Sequence, residues 1–165
     1  MKIYFSHGKE SGPWGSKITA LAGVAKAYGY QVDSIDYRGI ESPDERAQKL
    51  IHILQKETQP YLLVGSSMGG YVSQLASEVC NPVAVFLMAP ALFMPGYKQQ
   101  QYHPHNNLTI VHGNNDEVIP FQHSQRLKLT PPSQVLHIIE GDHSLNSSLA
   151  QVKALFEVFL QKLPN

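Results

Sequence analysis

The chain predicts an α/β fold built on a parallel sheet. Short strand-like apolar runs alternate with segments of helical period along its 165 residues. The run 83–88 is apolar at every second position on both faces, as a strand covered by helices on each side must be. The pentad Gly65-Ser66-Ser67-Met68-Gly69 stands between a strand-like run and a helical one, where a tight turn lifts a serine hydroxyl clear of the sheet.

The first strand spans about 2–6 and runs into a loop holding Gly8, Gly12 and Gly15. Ile18, Leu21, Ala22 and Ala25 then fall at helical spacing, and Gly29 ends that helix. The second strand covers 31–36. Ser42-Pro43-Asp44-Glu45 reads as a capping box with proline at the first helical position. The helix it opens carries Ala47, Leu50, Ile51 and Leu54 on one face, and Pro60 closes it. The third strand, 61–65, leads into the Ser67 turn, and the following helix presents Val72, Leu75, Ala76 and Val79. The fourth strand, 83–88, is expected at the centre of the sheet. Residues 89–107 have no period, and a long aperiodic segment in a compact domain is usually functional or mobile. The fifth strand is 108–112, a short helix is expected over 121–129, and the sixth strand is 135–139. The last helix carries Leu149, Val152, Phe156, Phe159 and Leu163.

Composition narrows the class. The length fits one domain over 1–165 with a core large enough to need no staple. Apolar content is 42% and charged content 16%, which excludes a disordered chain. Acidic and basic residues balance at 13 each, so no electrostatic footprint for nucleic acid or an anionic membrane is present. Cys80 is alone and has no partner for an internal disulfide; it reads as a small buried hydrophobe. The N-terminal apolar run is too short for a signal-peptide core, and the longest apolar stretch is broken by Pro90. A soluble cytoplasmic protein is expected.

A serine nucleophile needs a base within hydrogen-bond reach, and that base needs a third group to orient it. In a parallel α/β sheet the reacting groups sit beyond the carboxyl ends of strands. His143 meets that condition, following the sixth strand through Glu140-Gly141-Asp142. His137 lies inside the strand, His52 in a helix, and His103, His105 and His123 in or near loops, where solvation is the simpler expectation. His112 ends the fifth strand and is expected to shape its turn. For the acid, Asp116 follows the fifth strand; Asp142 is the main rival and Glu117 a weaker one. Asp142 adjoins the histidine it would have to orient, a poor geometry for a hydrogen bond.

The order Ser67, Asp116, His143 resembles that of the α/β-hydrolases. The chain is similar to a small, minimal member of that superfamily, of the dienelactone-hydrolase-like or bacterial esterase type. The matching elements are Ser6-His7-Gly8, the Ser67 pentad, the run His112-Gly113-Asn114-Asn115-Asp116-Glu117-Val118-Ile119-Pro120, and Gly141-Asp142-His143. The resemblance implies about six parallel strands in the order 2-1-3-4-5-6, helices on both faces, and no separate cap domain. It implies an oxyanion hole from the backbone N–H of Met68 and of a residue after Gly8, taken as Lys9. It further implies a small-molecule ester or thioester substrate, an open site, and neither cofactor nor metal.

Other readings fit less well. Gly15-Ser16-Lys17 does not complete a phosphate-binding loop. A flavodoxin-type nucleotide site leaves the Ser, Asp and His placements as coincidence. His103, His105 and His112 lack the fixed ligand spacing of a metal site. The main alternative in another class is a hydrolase-fold protein that binds a ligand or partner and turns over little.

Overall fold

The computed structural model describes residues 1–163. Six strands, β1 (Lys2–Ser6), β2 (Gln31–Ile35), β3 (Tyr61–Ser66), β4 (Ala84–Met88), β5 (Leu108–Gly113) and β6 (Gln134–Ile139), form one sheet in the order β2-β1-β3-β4-β5-β6. Every neighbouring pair is parallel. Helices α1 (Ser16–Ala27), α2 (Pro43–Leu54), α3 (Met68–Val79), α4 (Gln122–Gln125) and α5 (Leu149–Gln161) complete the fold.

The two-residue period of the strands splits the core into two layers. Ile3, Phe5, Leu62, Val64, Phe86 and Met88 face one side, where Leu21 of α1 and Val152 and Phe156 of α5 cover them. Tyr4, Leu63, Val85 and Leu87 face the other side, beneath Leu50 of α2 and Val72 and Ala76 of α3. β4 is buried at all five positions, which is why its sequence shows no polar face.

Local chemistry sets the helix ends. At α2 the Ser42 hydroxyl accepts the Glu45 N–H at 3.2 Å and Pro43 occupies the first turn. α1 ends at Gly29 (φ +83°), where the Tyr30 N–H reaches Ala25 O and the Gly29 N–H reaches Lys26 O, both at 3.0 Å. The predicted helix over 121–129 is one turn only. Beyond Arg126 the chain tightens to an i→i+3 bond from Leu127 to Ser124, and Pro131-Pro132 cannot continue a helix.

The segment 89–107 packs as a wall beside α3. The Tyr71 ring meets Tyr97 and Tyr102 edge-on, with centroids 4.8 and 6.3 Å apart. Gln74 Nε2 donates to His103 O at 3.0 Å, and the His103 N–H donates to Glu78 at 3.1 Å. No helix forms between β4 and β5 among the described residues.

Candidate active site

Order reversal between β1 and β3 leaves a crevice at the carboxyl edge of the sheet, and Ser67 stands in it. Its backbone (φ 55°, ψ −121°) is one that non-glycine residues avoid, at a cost of about 1–3 kcal/mol. Hydrogen bonds hold it there. The Ser67 N–H donates to Met88 O at 3.0 Å, and Ser67 O accepts from Ala91 N–H and Gly70 N–H, both at 2.9 Å. The turn also requires glycine at 69, because a Cβ there would lie 2.0 Å from Ser6 O.

Two turns bring the other groups to Ser67. A Cβ on Gly113 would meet Gly141 O at 2.3 Å, so the turn after β5 can lie against the turn after β6 only with glycine there. That contact carries Asp116 to His143. His143 Nδ1 is 2.7 Å from Asp116 Oδ2, and His143 Nε2 is 3.0 Å from Ser67 Oγ. A carboxylate only accepts, so Nδ1 carries the proton and Nε2 is the lone-pair nitrogen facing the hydroxyl. The structure thus brings Ser67, Asp116 and His143 into one hydrogen-bonded chain.

Asp116 has a fully buried side chain and four donors. Oδ1 accepts the N–H groups of Val118 (2.9 Å) and Ile119 (2.7 Å); Oδ2 accepts from His143 and, at 3.1 Å, from His112 Nε2. Burial pushes its pKa up, but the bonds from His112, His143 and Ile119 outweigh that and hold the carboxyl well below the usual range. The rivals do other work. Asp142 Oδ1 accepts from Ser144 Oγ (2.6 Å) and the Leu145 N–H (3.0 Å), fixing its own turn, and Glu117 is exposed.

His112 does more than shape a turn. It is buried, its Nε2 touches only the acceptors Asp116 Oδ2 and Ile119 O (2.9 Å), and its Nδ1 faces the Ser124 hydroxyl at 2.8 Å. It is therefore an Nε2–H donor that steadies the same carboxylate oxygen that accepts from His143. Its position at a strand end four residues before Asp116 was the available signal. His123 is not a solvated loop residue either: its Nδ1 lies 2.7 Å from Leu92 O and the residue is half-buried. His103 is exposed and His105 contacts Asn107, so neither joins His112.

Met68 and Lys9 both line the crevice beside Ser67, and neither backbone N–H is engaged by a carbonyl among the described residues. Gly8 presses close, since a Cβ there would come within 3.3 Å of Ser67 Cβ. The cleft holds about 550 Å³ between residues 8–18, Met94 and Tyr97 of the wall, and Val118 and His143. Lys17 lines it too; burial lowers the pKa of its ammonium, and Asp116 and Asp142 oppose that shift.

A lidless six-stranded parallel sheet in this order defines an α/β-hydrolase-fold protein. Residues 1–102 match the group described as Uncharacterised protein family (UPF0227), and the chain belongs to that family. No match was found among curated proteins. Among solved structures, a candidate hydrolase of the alpha/beta superfamily from Xanthomonas campestris pv. campestris is 28% identical (TM-score 0.83), with 98% of this chain and 99% of that one covered. An a/b serine hydrolase without lid from Xanthomonas campestris is 18% identical (TM-score 0.82; 99% and 83% covered). Est1E from Butyrivibrio proteoclasticus, solved with ferulic acid bound, is 16% identical (TM-score 0.81; 98% and 88% covered). No helix among the described residues is long and apolar enough to cross a membrane.

Proposed function

We propose that the protein is a serine hydrolase that cleaves carboxylic esters, or thioesters, of small to medium acyl groups. The observation that carries this reading is the continuous relay from Ser67 Oγ through His143 to Asp116 Oδ2, with links of 3.0 and 2.7 Å. A protein that only binds has no need of a strained serine aligned with an oriented imidazole.

In this mechanism Ser67 Oγ attacks the substrate carbonyl while His143 Nε2 takes its proton. Asp116 keeps the imidazole in the Nδ1–H tautomer and stabilises its cation. The N–H groups of Met68 and Lys9 hold the tetrahedral oxyanion. His143 then protonates the leaving alcohol or thiol, and a water activated by the same nitrogen releases the acid from the acyl-enzyme. The chain's side chains and backbone N–H groups, with one water, supply each of these steps.

Labelling by a fluorophosphonate probe, followed by a panel of p-nitrophenyl esters and acyl-CoA thioesters, tests the proposal. The expected result is stoichiometric labelling at Ser67 and turnover that falls about 10³-fold or more in kcat in Ser67→Ala. A native protein that resists the probe, or a Ser67→Ala variant with wild-type turnover, would exclude it.

A further inference from the structure

A buried cation lies beneath the cleft and takes no part in the relay. Arg46 projects from α2 and is 2% exposed, and no carboxylate lies within ion-pair distance of it among the described residues. Burying an arginine without a carboxylate is costly unless its N–H groups find acceptors. Arg46 spends them on two carbonyls. Nε donates to Ile40 O at 2.6 Å and Nη1 to Gly8 O at 3.2 Å, while the guanidinium sits 5.6 Å from the centroid of the Tyr37 ring.

The Gly8 carbonyl has a second strong donor. His7 Nε2 accepts the Tyr37 N–H at 2.9 Å, so the proton of this imidazole is on Nδ1, which donates to Gly8 O at 2.8 Å. Burial lowers the pKa of His7, in keeping with this neutral form. Gly8 O therefore receives a neutral N–H from His7 and a cationic one from Arg46.

The Gly8 carbonyl and the Lys9 N–H belong to one peptide unit, which is planar and holds the two groups in opposite directions. Fixing the oxygen fixes the direction of the N–H of Lys9, a residue that lines the cleft. Hydrogen bonds to the oxygen also withdraw charge through the amide and strengthen the N–H as a donor.

We propose that Arg46 is a positioning residue for oxyanion stabilisation: by holding the Gly8 carbonyl it aims and polarises the Lys9 N–H, and its unpaired charge favours the negative oxygen that forms in the cleft. The inference rests on the serine-hydrolase reading and extends it to a residue outside the relay. It assigns Arg46 a contribution to the transition state and little to ground-state binding.

The test compares p-nitrophenyl esters with the matching thionoesters, whose reaction places charge on sulfur, a much weaker hydrogen-bond acceptor. Rates are normalised to fluorophosphonate-titrated sites, so partial misfolding does not enter them. Arg46→Met is expected to lower kcat on oxygen esters about tenfold or more, part of the loss seen on deleting an oxyanion donor outright, with KM changed less than about threefold. Thionoester turnover should fall less, so the oxygen-over-sulfur preference shrinks. Arg46→Gln, which keeps a polar group in the pocket but removes the charge, should shrink it as well and serves if the Met variant does not fold. Equal losses on both esters, or no loss, would make Arg46 a purely structural tie and overturn the inference. Ser67→Ala distinguishes the other failure: if its turnover persists, the hydrolase reading falls and this inference with it.

Discussion

At the scale of single residues, the choice between Asp116 and Asp142 is the sharpest one. Both stand near His143 in the fold, yet only Asp116 reaches Nδ1, and Asp142 is occupied with Ser144 and Leu145. Asp116→Asn should therefore lower kcat/KM by about 10³–10⁴-fold through the wrong imidazole tautomer, while Asp142→Asn stays within about tenfold of wild type. Steady-state assays on the two variants decide it; the reverse ranking would move the acid to Asp142. The depressed pKa of Asp116 has a second consequence. A carboxyl whose folded pKa lies below its unfolded value stabilises the fold above the unfolded pKa, near 4, and loses that contribution as pH falls toward the folded value. Urea denaturation should show wild type more stable than Asp116→Asn at neutral pH, with the gap closing only well below pH 4.

At the scale of elements, the strand-to-helix turn rests on close backbone approach. Gly69→Ala would place a methyl 2.0 Å from Ser6 O, where β1 has no freedom to retreat because it pairs on both sides. A loss of at least about 3 kcal/mol, or failure to fold, is expected from urea melts. A variant with wild-type stability would show that the turn has slack. The same turn explains what sequence can convey. The pentad, the Ser42 cap, Gly29 and the all-apolar β4 announce themselves because each is a local requirement of backbone or burial. Ser67, Asp116 and His143 could be placed for the same reason, since the parallel sheet fixes where strand ends go. Arg46 could not, and the role of His112 had only its place at a strand end, four residues before Asp116, to signal it. Their importance comes from partners at Asp116 and Gly8 that are set by packing, and a histidine before a turn or an arginine on a helix looks ordinary in one dimension. The overlong expectation at 121–129 failed likewise, because nothing local in the polar run 122–126 marks where the backbone tightens at Leu127.

At the scale of the whole molecule, the candidate site lies on one rim. Two apolar layers pack the sheet from both sides, and the turns after β1, β3, β5 and β6 line the cleft. A cleft of about 550 Å³ suits short and medium acyl chains, so rates across a p-nitrophenyl series should peak there and fall for long-chain esters. A maximum at long chains would contradict the proposed preference for small to medium acyl groups. The wall of residues 89–107 bears on kinetics. Its tyrosines interlock with Tyr71, and its backbone is tied to Gln74 and Glu78 on α3, a helix that cannot shift without dragging the Ser67 turn. A hydrolase working as proposed above has no door to wait for: its substrates would arrive by plain collision, and thickening the solvent should leave kcat for a slow ester untouched.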